Sequence, residues 1–347
     1  MPASGRTQEA YPADYMMGVV PPDARPRRVT ATGFISTLLG IVLFAWFVRR
    51  VGPAEIWQGL AQIGWGLVVI VMLAGARFAL RAIAWRVCLE PPHSMPFRDA
   101  FLAVVSGDAF GNLTPLGPII GEPAKAAFVR GHVPLTPALT ALAIENLFYT
   151  MTVAAMIATA TIALLLSFDL PDALREASEV AVAGIVVALG IALWILLRRP
   201  ALVSRSLAAV LPAGSALQSK VESAGDIERE IYTFASRRPA AFFRVVCAEL
   251  GFHVLGITEV FITWWLMIGV PPSLLTSFVL EGANRLVTVV FKFVPLRIGV
   301  DEVSTAWFTT ILGFGPTPGT TLAIARRIRV VFWTAVGTIL LIRRGLR

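Results

Sequence analysis

Two arginines one helical turn apart, Arg77 and Arg81, stand inside an otherwise apolar run spanning 64–86. A charge at the centre of such a run costs about 2.5–3.5 kcal/mol on membrane-insertion scales, so each needs a partner, water or a role. The guanidinium fork accepts a carboxylate or phosphate at two points, which makes anion binding the chemistry these residues suit. Arg81 lies nearer the end of the run, where snorkelling to a polar boundary is the plainer alternative.

Further ionisable groups recur in apolar surroundings. Asn112, Glu122, Lys125 and Arg130 surround Gly117, Pro118 and Gly121, and Glu122 and Lys125 are spaced to pair on a helix. That pair reads equally well as a structural salt bridge or as a substrate contact. Glycines at 117 and 121 leave backbone donors open near a helix start, which favours an anion. Downstream, Glu281 and Arg285 stand at i and i+4, followed by Lys292, Arg297, Asp301 and Glu302. Arg326, Arg327 and Arg329 share one helical span, and their angular spread forces at least one to point inward. Glu145 and Asn146 are the polar residues of a further apolar run. Glu249, His253 and Glu259 are candidates for proton coupling, with a satisfied core histidine as the plainer reading of His253.

The elements that position these groups follow from composition. Of 347 residues, 56% are apolar and 15% charged, and the mean hydropathy is +0.73. This excludes an ordinary soluble domain. Hydrophobic runs long enough to cross roughly 30 Å of hydrocarbon as helices recur from Phe34 to Ile342. Strand alternation is missing, which excludes a barrel. The expected fold is all-α: about six full crossings, drawn at 33–51, 64–86, 137–167, 179–198, 241–268 and 319–342. Gly, Pro and charge interrupt 97–131 and 274–314, so each is expected as two short half-helices entering the membrane and returning.

Residues 1–32, rich in Pro and Arg, read as a disordered basic cytoplasmic tail without a cleavable signal. The basic segment 198–244 and the terminal Arg343, Arg344 and Arg347 place both ends of the chain in the cytoplasm. Arg49 and Arg50 resist that orientation. Within the basic segment, 199–239 forms a loop in which Ile227, Ile231 and Phe234 recur at helical spacing; this suits an amphipathic helix on the inner membrane surface or a plain connecting helix. The formal charge of +8 is distributed over membrane-flanking loops, which points to anionic phospholipid rather than nucleic acid. Cys88 and Cys247 read as packing residues. The scattered histidines 93, 132 and 253 imply no metal, and no cofactor is expected.

The motif PLGPIIGE at 115–122 returns as PLRIGVDE at 295–302, matching Pro, Leu and Glu at identical spacing. Ala126 and Phe128 match Ala306 and Phe308, and after a one-residue insertion Thr136–Pro137 match Thr317–Pro318. Two membrane repeats follow, 33–168 and 169–345. Each holds an odd number of crossings, so the copies are inverted and their broken segments meet near the midplane around a cavity.

The stretch GNLTPLGPIIGEPAKAAFVRG (111–131), the Glu145–Asn146 helix and FVPLRIGVDE (293–302) resemble the lysylphosphatidylglycerol synthase transmembrane family of flippase-like membrane proteins. That resemblance implies a bundle with two re-entrant helices and carriage of a lipid between leaflets. Bifunctional members append a soluble domain that charges lysine onto the lipid, whereas this sequence stops at Arg347 after its last helix. The expectation is therefore a carrier and not an enzyme. It would move an anionic phospholipid, aminoacylated lipid or lipid-linked sugar across the bacterial inner membrane, possible as a homo-oligomer. The rivals are a transporter of a small soluble anion and an enzyme acting on lipid phosphates.

Overall fold

The computed structural model describes residues 64–113, 117–198, 218–291, 294, 297 and 299–345. The tail at 1–32, the crossing at 33–51, and Lys292 lie outside them. Among the described residues the chain is helical with no strand, and ten helices follow one another. They are α1 (Gly66–Cys88), α2 (Phe97–Leu113), α3 (Gly117–Phe128), α4 (Leu135–Ser167), α5 (Asp172–Arg198), α6 (Gln218–Arg237), α7 (Pro239–Ile268), α8 (Leu274–Val290), α9 (Val300–Ile311) and α10 (Pro316–Gly345).

Helices α1, α4, α5 and α7 are long and apolar enough to cross a membrane. The most apolar 18-residue stretch of α5 has none of its residues buried by protein, and Val186, Ile191, Trp194 and Leu197 stand exposed on it. Such a surface suits contact with hydrocarbon. Helix α10 has the length, 30 residues, but its three clustered arginines keep it out of that group. Both interrupted segments break as expected. Seventeen residues of α2 precede twelve of α3, and seventeen of α8 precede twelve of α9.

Local chemistry sets several helix ends. Ser273 caps α8 by accepting the Thr276 amide at 2.9 Å. Pro239 begins α7, and Gly269 ends it with φ 79° in the left-handed region. At the start of α9 the Gly299 amide donates to Glu302 Oε2 at 2.8 Å.

The packing has an internal symmetry. Helix α2 packs on α10 as α8 packs on α4; α3 packs on α4 as α9 packs on α10. Likewise α1–α2, α1–α4 and α1–α10 are matched by α7–α8, α7–α10 and α7–α4, while α1 and α7 pack on each other. Exchanging α1–α4 for α7–α10 therefore returns the same contacts. Small residues allow the closest approaches. A Cβ on Gly282 would fall 2.1 Å from Ala160 Cβ across α8 and α4, and one on Gly337 would fall 2.5 Å from Ala109 Cβ across α10 and α2. Within the α2–α3 pair, a Cβ on Gly107 or on Gly121 would fall 2.9 Å from the other's carbonyl oxygen.

Apolar residues gather into separate clusters. On α7, residues 241–248 belong to one and 260–264 to another, with Glu249, His253 and Glu259 between them. On α1 the first cluster takes residues 82–88 and a third takes Ile70, with Arg77 and Arg81 between. Helix α6 is amphipathic, but its apolar stripe docks on protein. Phe234 is buried in the first cluster, its ring 5.9 Å from Phe148 of α4. Arg238, just after α6, donates to the Val87 and Leu89 carbonyls that end α1 at 3.0 and 2.9 Å. Cys88 is buried as expected; Cys247 instead lies exposed on the outside of α7.

Candidate functional site

Between the clusters lies a cavity of about 190 Å3. Arg77 and Arg81 reach it from α1, Asp108 and Asn112 from α2, Tyr149 from α4, and Phe252 from α7. Asn284 and Arg285 come from α8, Arg297 and Asp301 from the turn into α9, and Arg326 and Arg329 from α10. Six guanidinium groups thus share one small space drawn from both halves of the chain.

Four of them divide two carboxylates. Arg77 Nη1 donates to Glu259 Oε2 at 3.1 Å, and Arg329 donates to both oxygens of the same carboxylate. Glu281 receives Arg285 from one turn along α8, Arg326 at 3.4 Å and Asn284 at 3.2 Å, with Arg77 Nη2 at 3.6 Å. Four positive groups against two negative ones leave an excess of positive charge in a layer where water is scarce. Arg77 Nε, Arg285 Nε and Arg326 Nη1 are buried and carry no partner. Buried donors are nearly always bonded, so three unbonded ones on residues lining one cavity mark a shortage of acceptors around it. The Phe252 ring supports this group: the Arg77 guanidinium lies 4.3 Å and that of Arg285 5.0 Å from its centroid.

A second group is fully paired. Arg81 meets Glu145 at two points, Nε to Oε1 at 2.7 Å and Nη2 to Oε2 at 2.9 Å, and also donates to Asn146 Oδ1 at 3.1 Å. Its guanidinium lies over Tyr149, 4.1 Å from the ring centroid. Packing inside the bundle, not snorkelling, accounts for Arg81. On the opposite wall Asn112 donates to Asp108 at 3.0 Å, and Arg297 donates to Asp301 at 3.0 Å. Arg297 holds φ at 47°, a backbone position that a side chain rarely adopts, and so carries local strain at the cavity edge.

Of the residues picked out by sequence, Arg77, Arg81, Asn112, Arg285, Arg297 and Arg326 line the cavity. Glu145 and Asn146 stand behind Arg81, and Glu259 behind Arg77 and Arg329. The structure pairs Glu122 with Lys125 at 2.6 Å, next to Asn146 and Arg81, and Arg327 with Glu302; none of these four is itself a lining residue. Glu249 is buried, and His253 Nε2 lies 3.1 Å from Thr152 Oγ1. Sequence reasoning missed Asp108, Tyr149 and Phe252. Asp108 carried a usable signal, an acid inside an apolar run one turn before Asn112; the two aromatic residues carried none.

No curated protein and no solved structure matches the chain. A family described as the Lysylphosphatidylglycerol synthase TM region matches residues 33–337, and so takes in both broken segments and every arginine of the cavity. With four helices long and apolar enough to cross a membrane, the chain is a multi-pass membrane protein and belongs to the lysylphosphatidylglycerol synthase transmembrane-region family.

Proposed function

We propose that this protein is a flippase-like carrier that passes the headgroup of an anionic phospholipid, aminoacylated lipid or lipid-linked sugar between the leaflets of the bacterial inner membrane. The observation that carries this reading is the cavity with more guanidinium than carboxylate and three buried, unpartnered N–H donors. A phosphate seated there exchanges its hydration for the surrounding guanidinium groups, which lowers the barrier of dragging charge through hydrocarbon. The acyl tails stay in lipid.

The exchange-symmetric packing supports two membrane units, 33–168 and 169–345, inserted in opposite senses. In that arrangement α2–α3 and α8–α9 are re-entrant, and both termini face the cytoplasm beside the basic segment around α6. The headgroup enters past Arg81 and the Glu122–Lys125 pair and passes to Arg297 and Arg326. This is transport without bond breaking.

Carriage of a small soluble anion is the second reading. The cavity's size favours it, since about 190 Å3 admits a headgroup-sized ion and little more. Proteoliposomes separate the two. Fluorescent phosphatidylglycerol, an aminoacylated lipid and a polyprenyl phosphate are each reconstituted with the protein, and outer-leaflet probe is quenched with dithionite. Additional quenching that Arg77→Ala abolishes supports the lipid reading. Quenching equal to that of empty vesicles for every probe refutes it, and uptake of labelled inorganic phosphate in the same vesicles would then favour the soluble anion.

A further inference from the structure

One buried acid takes no part in the pairing above. Glu249 of α7 is 1% exposed, and neither of its carboxyl oxygens has a partner. From α1 it is faced by Arg81 and Cys88, and from α4 by Glu145 and Tyr149. Its own helix adds His253 one turn on, but that ring is held by Thr152 through Nε2. Helices α8 and α10 direct Arg285, Arg326 and Arg329 at Glu281 and Glu259 instead. Arg238, at the junction of α6 and α7, is committed to the carbonyls of Val87, Cys88 and Leu89.

Glu145 and Glu249 therefore share the Arg81 guanidinium, which Asp108 of α2, bonded to Asn112, and Glu122 of α3, bonded to Lys125, also face. Glu145 already holds Arg81 at two points, and an ionised Glu249 beside it would be a buried charge without a counter-ion, which is several kcal/mol unfavourable. The arrangement fits a neutral acid at Glu249. Arg81 is also the only member of this trio that lines the cavity.

We propose that Glu249 is a proton-binding site linked to the anion site through Arg81. With its proton on, Glu249 makes no claim on Arg81, which stays at the cavity wall and contributes to the field that attracts an anion. When the proton leaves to water, the new carboxylate draws Arg81 toward Glu249 and Glu145 and away from the cavity. Anion and proton therefore bind together, and each raises the affinity for the other by the same factor. With reorientation confined to the empty and doubly loaded carrier, a proton gradient drives the anion in the direction the proton moves. This inference rests on the reading of the cavity as an anion site and assigns its energy source.

The test titrates a short-chain phosphatidylglycerol into the full chain held in nanodiscs of neutral lipid, across a pH series. In the wild type, affinity is constant at low pH and falls about tenfold per pH unit once Glu249 ionises, the slope for one linked proton. In E249Q it stays at the low-pH value throughout. An E249Q variant that keeps the wild-type slope overturns the proposal. A measurement on the wild type alone guards against a variant that fails to fold: calorimetry in buffers of different ionisation enthalpy detects one proton taken up per anion on the sloping part, and zero uptake overturns the linkage. If the wild type binds no phosphatidylglycerol at any pH, the anion reading has failed separately. Infrared spectroscopy then decides on the proton site alone: a carboxylic-acid band lost in E249Q supports it, and one unchanged in E249Q refutes it.

Discussion

Gly256 of α7 faces Glu281 of α8 so closely that a Cβ placed on it would lie 2.6 Å from the carboxylate Oε1. The glycine gives Glu281 room to stand at the centre of Arg77, Arg285 and Arg326. The position demands absence of a side chain, not a special backbone angle.

Gly256→Ala is therefore expected to push Glu281 out of register with its arginines. Overpacking at such a site costs about 1–3 kcal/mol. Thermal unfolding in detergent should register the loss, and anion transport should fall with it. A variant as stable and active as the wild type would show that α8 can yield at this point without disturbing the ionic group.

Glu281→Gln tests the ionic group directly. Removing the negative charge leaves Arg285 and Arg326 without their carboxylate, and breaking a buried pair from one side costs about 3–5 kcal/mol. Glu281→Gln combined with Arg285→Met is expected to recover a large part of that, because the second change removes one of the stranded charges. A double-mutant cycle on unfolding midpoints measures the coupling; additive effects would mean that the pair does not act as a unit.

Much of the fold could be read before any coordinates. The apolar runs marked α1, α4, α5 and α7, and the Gly–Pro breaks marked the two short-helix pairs, because helix length and chain interruption are local properties. Partner choice is not local. Arg77 meets Glu259 from 182 positions away, and spacing along one helix says nothing of such a pairing. Tyr149 and Phe252 were hidden for a different reason: an aromatic ring in an apolar span looks the same whether it faces core, lipid or a guanidinium. The apolar stripe of α6 was visible in Ile231 and Phe234, but hydrophobicity alone does not distinguish a lipid surface from the flank of α4 on which Phe234 packs.

Arg81→Lys preserves the charge at the first group but not the fork. Lysine offers a point charge and cannot reproduce both bonds to Glu145 together with the contact to Asn146. Transport is expected to fall roughly tenfold to a hundredfold, the scale on which displaced positioning groups are felt. The dithionite assay reads it, and a fully active lysine variant would show that charge alone suffices.

Tyr232 on α6, outside the spanning segments, donates to Glu228 at 2.9 Å; burial first, then that bond and the Glu228 charge, push its hydroxyl up to about 12. The folded state thus holds the proton more tightly than the unfolded chain, whose tyrosine titrates near 10. The resulting stability is fully present below about pH 10 and is lost as pH rises toward about 12. Ultraviolet phenolate titration of the wild type and of Tyr232→Phe should differ by the loss of one tyrosine titrating near 12.

Arg297→Gly separates stability from function at a single position. Glycine adopts the left-handed φ of 47° without a clash, which relieves strain on the order of 1 kcal/mol. The same change removes a cation from the cavity wall and leaves Asp301 without its 3.0 Å partner. These effects oppose each other in folding, so the unfolding midpoint is expected to move little. They act together on anion binding, because the wall loses a positive charge and exposes a negative one. Affinity for phosphatidylglycerol should therefore drop while the melting temperature holds. If both fall in parallel, Arg297 serves mainly to join α8 to α9; if neither moves, the turn contributes nothing to the field inside the cavity.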